Sequence, residues 1–108
     1  MKTLIATTAL ALAMSSVHAQ NVDVPAAEGL MKKSGCFKCH AVSAKKDGPS
    51  YKSVAEKYKG KADAPAALFK HMTTGPMVKI DGKEEKHKAV KSTDEAEVKN
   101  LVRWILSR

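Results

Sequence analysis

The chain has 108 residues, with 19 Lys and Arg against 11 Asp and Glu and a net charge of +8, which leaves room for one small basic domain. Aromatic residues are 5% of the chain and are not interleaved with basic ones, so the charge points away from nucleic acid and towards an acidic protein partner. No acid pair, nucleophile with a base, or phosphate loop is evident, and the chain is not expected to be an enzyme.

Lys2, the apolar run through Met14 and Val17-His18-Ala19 read as the charged region, hydrophobic region and cleavage site of an export signal over residues 1–19. The run is too short for a membrane span, and no cysteine near the cut offers a lipid anchor. Removal of this segment would leave residues 20–108 as one domain of charge about +7, with a core marginal on its own. Asn21 to Val24 should be a frayed terminus. A short helix from Pro25 to Lys33 follows, with Pro25 in the first turn, Ala27, Leu30 and Met31 on one apolar face, and Gly35 as its stop.

That helix delivers Cys36-Phe37-Lys38-Cys39-His40, the C-x-x-C-H attachment pattern of a c-type haem. Two thiols at this spacing reach the two vinyl groups on one porphyrin edge as thioethers, and the imidazole that follows is held under the iron as proximal ligand. A redox C-x-x-C would need a surrounding βαβ pattern, and half of a zinc site would need a second ligand pair; His71 and His87 are too widely spaced to supply one. A disulfide would close a very small, strained ring. The covalently held macrocycle also supplies the apolar core that so short a chain lacks.

From Ala41 to Asp47 the chain is polar and basic, ending in the turn Asp47-Gly48-Pro49. Tyr51, Val54, Ala55 and Tyr58 mark one face of a second short helix that stops at Gly60. Asp63 is expected to cap a third helix with Pro65 in its first turn and Ala64, Ala67, Leu68 and Met72 facing inward until Gly75, and Phe69 covers the edge. Asp81-Gly82 between β-prone residues predicts a small hairpin over Val78 to Lys83 in an otherwise charged loop. Ser92-Thr93-Asp94-Glu95 reads as a capping box for the last helix, with Val98, Leu101, Val102, Ile105 and Leu106 on one stripe and Trp104 on its shoulder. The fold class is all-α, short helices wrapped around one haem with at most one hairpin.

These stretches resemble the small monohaem class I cytochromes c of the bacterial periplasm. The likeness runs through Lys33-Ser34-Gly35 and the haem motif, Gly48-Pro49-Ser50-Tyr51-Lys52, Gly60-Lys61, the helix end from Leu68 to Gly75, and Leu101-Val102-Arg103-Trp104-Ile105-Leu106. The resemblance implies that the Pro49 carbonyl accepts a hydrogen bond from the His40 imidazole, fixing its tautomer and raising its basicity. It implies that the first helix packs across the last near one haem edge, with Trp104 as the customary aromatic and Met31 where an aromatic is often found. It places His71 where relatives carry a basic residue near the haem propionates. Lys38, Lys45, Lys46, Lys52, Lys83, Lys86 and Lys88 fall in segments expected near the haem rim.

The distal ligand departs from the family pattern, because the loop before the last helix has Glu84-Glu85-Lys86-His87-Lys88 where relatives carry a methionine amid prolines. His87 can present a nitrogen lone pair to iron, whereas Lys88 must first lose a proton. Met77 is the alternative, as is an iron left open or bound by lysine. The leading function is a monomeric periplasmic one-electron carrier for an acidic redox partner. A haem-based sensor with a displaceable sixth ligand and a cytochrome subunit of a periplasmic oxidoreductase are the competing readings.

Overall fold

The computed structural model of the protein describes residues 21–108. The expected export signal and its cleavage site lie outside the described residues. Four α-helices, α1 Val24–Ser34, α2 Tyr51–Tyr58, α3 Ala64–Thr74 and α4 Glu95–Leu106, account for most of the order, and a short 3-10 turn, Cys36–Lys38, follows α1. Two strands, β1 Met77–Ile80 and β2 Lys83–Lys86, pair antiparallel between α3 and α4.

The predicted fraying before α1 is absent. Asp23 is the N-cap, its carboxylate accepting from the Ala26 N–H at 3.0 Å. Its backbone is also tied to the last helix, because Asp23 N–H donates to Asn100 Oδ1 at 2.9 Å and Asn100 Nδ2 donates back to the Asp23 carbonyl at 2.8 Å. Asn100 is buried, so this reciprocal amide pair satisfies polar groups that would otherwise be stranded where the two helices cross.

Two predicted caps also move. Asp94, rather than Ser92, caps α4, its carboxylate accepting from the Ala96 and Glu97 N–H groups, while the Ser92 hydroxyl is hydrogen-bonded to the Glu97 carboxylate. The N-cap is therefore displaced by two residues and no reciprocal box forms, because the Asp94 N–H donates to Ser92 Oγ rather than to the Glu97 carboxylate. Asp63 makes no side-chain cap to α3. At α2 the cap is Ser50, whose hydroxyl accepts from the Ser53 N–H at 3.1 Å.

Helix α4 is the hub on which α1, α2 and α3 all pack. Leu30 and Met31 of α1 meet Val98, Leu101, Val102, Trp104 and Ile105 of α4 in one core that also takes in Tyr51, Leu68 and Met72. Trp104 is not on a shoulder but inside this core at 2% exposure, because the α1 and α2 faces converge on that side of α4. The hairpin is longer than predicted and absorbs part of the charged loop. Asp81 and Gly82 form its turn, both with positive φ (50° and 78°), the combination a tight two-residue hairpin requires.

Replacing Asn100 with alanine should lower stability by about 1–3 kcal/mol, the usual loss when buried backbone groups lose their partners. Denaturant unfolding of the holoprotein should show an earlier midpoint with an unchanged slope.

Candidate functional site: the three-histidine crevice

The C-terminal end of α1 turns at Gly35, which adopts a left-handed conformation (φ 73°), into the Cys36–Lys38 turn. His40 N–H donates to the Cys36 carbonyl at 2.9 Å, so both thiols and the imidazole leave one tight turn together. Burial pushes the Cys36 thiol above its usual range, against the opposing effect of the Tyr51 phenol beside it.

The chain then doubles back on itself. Gly48 N–H donates to the Cys39 carbonyl at 2.8 Å, Tyr51 N–H to Ala41 at 3.0 Å and Lys52 N–H to Val42 at 3.0 Å. Lys46 Nζ closes the loop from outside by donating to the Phe37 carbonyl at 2.6 Å. This folding-back brings the Pro49 carbonyl to 2.7 Å from His40 Nδ1, which donates to it and leaves Nε2 as the nitrogen with a lone pair. Gly48 has no room for a side chain: a Cβ there would stand 2.8 Å from His40 Nδ1 and closer still to Cε1.

On the other side of the crevice His87 follows β2 directly. Its N–H donates to the Pro76 carbonyl at 2.8 Å, and downstream Val90 N–H donates to the Met72 carbonyl at 2.9 Å and Lys91 N–H to Ser34 Oγ at 2.9 Å. The hairpin is thus closed at its base by the bond to Pro76, and the segment that leaves it is tied to α3 at Met72. Gly75 is compressed under this staple: its φ is +59°, and a Cβ would run into the His87 carbonyl oxygen.

The His87 ring stands 6.1 Å from the His40 ring, centroid to centroid, with planes at 50°. His71, from the last turn of α3, packs edge-on to His87 at 4.5 Å. Burial, then the neighbouring His71 and His40, hold His87 below the usual imidazole range; the Lys88 backbone, close to the ring without a hydrogen bond of ordinary geometry, opposes the shift. Burial, then His40 and Lys57, lower His71 in the same direction. Met77 is 60% exposed at the start of β1, opposite Lys86, and is the residue of the predicted set that lies apart from the cluster. Among the described residues three buried side-chain nitrogens, His87 Nδ1, Arg103 Nε and Trp104 Nε1, have no hydrogen-bond partner in the protein.

The cytochrome c family model matches residues 25–108. The chain belongs to the cytochrome c family. It is 36% identical to cytochrome c-551 of Pseudomonas aeruginosa over 97 residues, covering 90% of each chain. To cytochrome c-552 of Hydrogenobacter thermophilus it is 38% identical over 83 residues, covering 74% of this chain and 79% of that one. Among solved structures, the class 1 cytochrome MtoD of Sideroxydans lithotrophicus ES-1 superposes with a TM-score of 0.77 at 55% identity, covering 81% of this chain and 97% of that one. Cytochrome c552 of Nitrosomonas europaea superposes at 0.59 with 30% identity, covering 74% and 96%.

This cytochrome is a small class I monohaem protein with one covalently attached haem c, for which its two cysteines, Cys36 and Cys39, are the attachment points. From the sequence Tyr51 reads as a helix-face residue and Gly48 as part of a turn, both within the stretch that resembles the family, and neither is marked as a contact of the His40 ring. Tyr51 stacks on His40 with centroids 5.3 Å apart and planes at 26°, and Gly48 is where that ring comes closest to the backbone. The available signal was proximity of type rather than of number: an aromatic two residues past the proline whose carbonyl the imidazole seeks.

Gly75→Ala should cost about 1–3 kcal/mol, since it combines a left-handed backbone with overpacking against His87. Amide hydrogen exchange at His87, bonded to Pro76 in the native fold, should accelerate along with the drop in melting temperature.

Proposed function

We propose that this cytochrome is a periplasmic one-electron carrier whose haem iron is ligated by His40 and His87. The spacing of the two rings carries the reading. An imidazole nitrogen lies about 2 Å from a metal it binds and about 1.1 Å from its own ring centroid, so two rings on opposite sides of one ion stand roughly 6.2 Å apart. The 6.1 Å between His40 and His87 matches that gap.

Protonation agrees with placement. Burial and the neighbouring His71 and His40 favour the neutral form of His87, the form that presents a nitrogen lone pair. Met77 is solvent-facing on the hairpin and has no such support. Pro49 acts on His40 through its carbonyl, fixing the tautomer and strengthening the ligand. Trp104, whose indole N–H is buried and unpartnered, and His71, beside His87, are the other residues we assign to the haem wall. When bound, the haem iron supplies the one-electron change between ferric and ferrous states. The protein's part is to hold both imidazoles on backbone-pinned loops so that little moves between the two states. Two nitrogen ligands favour the ferric form over the nitrogen and thioether pair, placing the potential below that of methionine-ligated relatives within a range that ligands and surroundings tune over roughly 0.8 V.

Export to the periplasm is supported by the first 19 residues, and among the described residues no helix is long and apolar enough to cross a membrane. Lys38, Lys45, Lys46 and Lys52 are exposed on the His40 side of the crevice, and Lys83, Lys86 and Lys88 on the hairpin side. That distribution suits brief docking with an acidic redox protein, steered by charge.

Two outcomes follow for the holoprotein. His87→Ala should convert the low-spin ferric spectrum to high-spin and admit cyanide more readily, while Met77→Ala should leave it nearly unchanged; a high-spin Met77 variant beside a low-spin His87 variant would reject the ligand assignment. The bimolecular electron-transfer rate with an acidic partner should fall as ionic strength rises, because salt screens steering over roughly 8–10 Å. A rate flat in salt would remove the acidic-partner reading.

A further inference from the structure

The His40 ring touches the protein at three places, and each constrains a different freedom. The Pro49 carbonyl anchors Nδ1 at 2.7 Å. Gly48 sets how deeply the ring can sink towards the backbone. The hydrogen bond to Pro49 lies off the axis from Nε2 to the metal and so restrains rotation of the flat ring about that axis. A carbonyl accepts over a broad range of directions, however, and leaves part of that rotation to be fixed by another contact.

Tyr51 presents a face to that plane, stacked at 5.3 Å and 26°. Its own ring is gripped on two further sides, edge-on to Trp104 at 5.4 Å and 81° and edge-on to Phe37 at 6.3 Å and 85°. Its backbone N–H is bonded at 3.0 Å to the carbonyl of Ala41, the residue after His40, so ring and imidazole are registered through the main chain as well. At 5% exposure the side chain has no solvent-filled space into which it could rotate. Offset stacking of aromatic rings is a directional contact, and here it is made by a buried ring packed edge-on to two others.

We propose that Tyr51 is a positioning residue that sets the rotation of the His40 imidazole about its bond to the haem iron. The inference rests on His40 being the proximal ligand, as argued above. Ring rotation decides which iron orbital the imidazole π system overlaps, and hence how the ferric unpaired spin is spread over the haem. The aromatic face carries the effect, and the hydroxyl is dispensable to it.

The test uses ferric holoprotein carrying Tyr51→Phe, Tyr51→Leu or Leu30→Ala, the last a truncation of the core on α1. Electron paramagnetic resonance and the proton NMR shifts of the haem methyls are read beside thermal unfolding. Tyr51→Phe should retain the wild-type g values and order of methyl shifts. Tyr51→Leu should stay low-spin, showing His40 still bound, but shift the largest g value and reorder the methyls. Leu30→Ala should lose stability while keeping the wild-type pattern. If Tyr51→Leu does not retain haem, Tyr51→Met, which keeps apolar volume without a flat face, reads the same effect. A wild-type pattern in the Leu or Met variant, or an equal change in Leu30→Ala, would overturn the proposal. An error in the His40 assignment would appear instead in His40→Ala, as a low-spin ferric spectrum unchanged from wild type, and would take the proposal with it.

Discussion

The hydrogen bond from His40 Nδ1 to the Pro49 carbonyl is the constraint on which the rest of this structure depends. It can form only because the chain between them folds back, with Gly48, Tyr51 and Lys52 donating in turn to Cys39, Ala41 and Val42. That ladder brings the start of α2 beside the haem motif at the end of α1, and both then pack on α4. A neutral imidazole committed at Nδ1 directs its remaining lone pair away from the loop. One local bond therefore orients the imidazole, raises its basicity and fixes where the second helix begins.

The opposite wall follows the same logic with different parts. His87 is held by its backbone, through Pro76, and by the bonds of Val90 to Met72 and Lys91 to Ser34 that follow it. The hairpin between Pro76 and His87 is an excursion that returns to its starting point, and the residue at its base is held by the Pro76 bond rather than by the tip. A carrier gains from such an arrangement, because electron exchange is fastest when the atoms around the iron need not rearrange. His71, lodged against His87 from α3, removes further freedom from that ring.

The small size of the domain makes these walls interdependent. The described core is one cluster centred on α4, and Tyr51 links it to the His40 ring. Tyr51 belongs to both, buried against Trp104 on one side and stacked on His40 on the other. Packing in the core and the placement of the His40 ring therefore pass through the same side chain. Helices of 8 to 12 residues gain most of their stability from such shared tertiary contacts rather than from their own propensity.

The sequence by itself determined the covalent chemistry and the helical plan. Cys36, Cys39 and His40 are legible because thioether attachment demands that spacing, and the apolar faces of α1 to α4 are legible because a helix must bury one stripe. Asp81-Gly82 was equally clear, since few residue pairs accept two positive φ angles in succession. Local rules failed where a distant residue decided the outcome. Asp23 reads as a loose terminus until Asn100, 77 positions away, closes on it. Trp104 reads as flanking until α1 and α2 converge over it. Above all, no periodicity relates His40, Tyr51, His71 and His87. Only the tertiary fold brings them together, because ring-to-ring distances are set by how the helices pack on α4 and by where the hairpin closes, and neither is written in the spacing of residues along the chain.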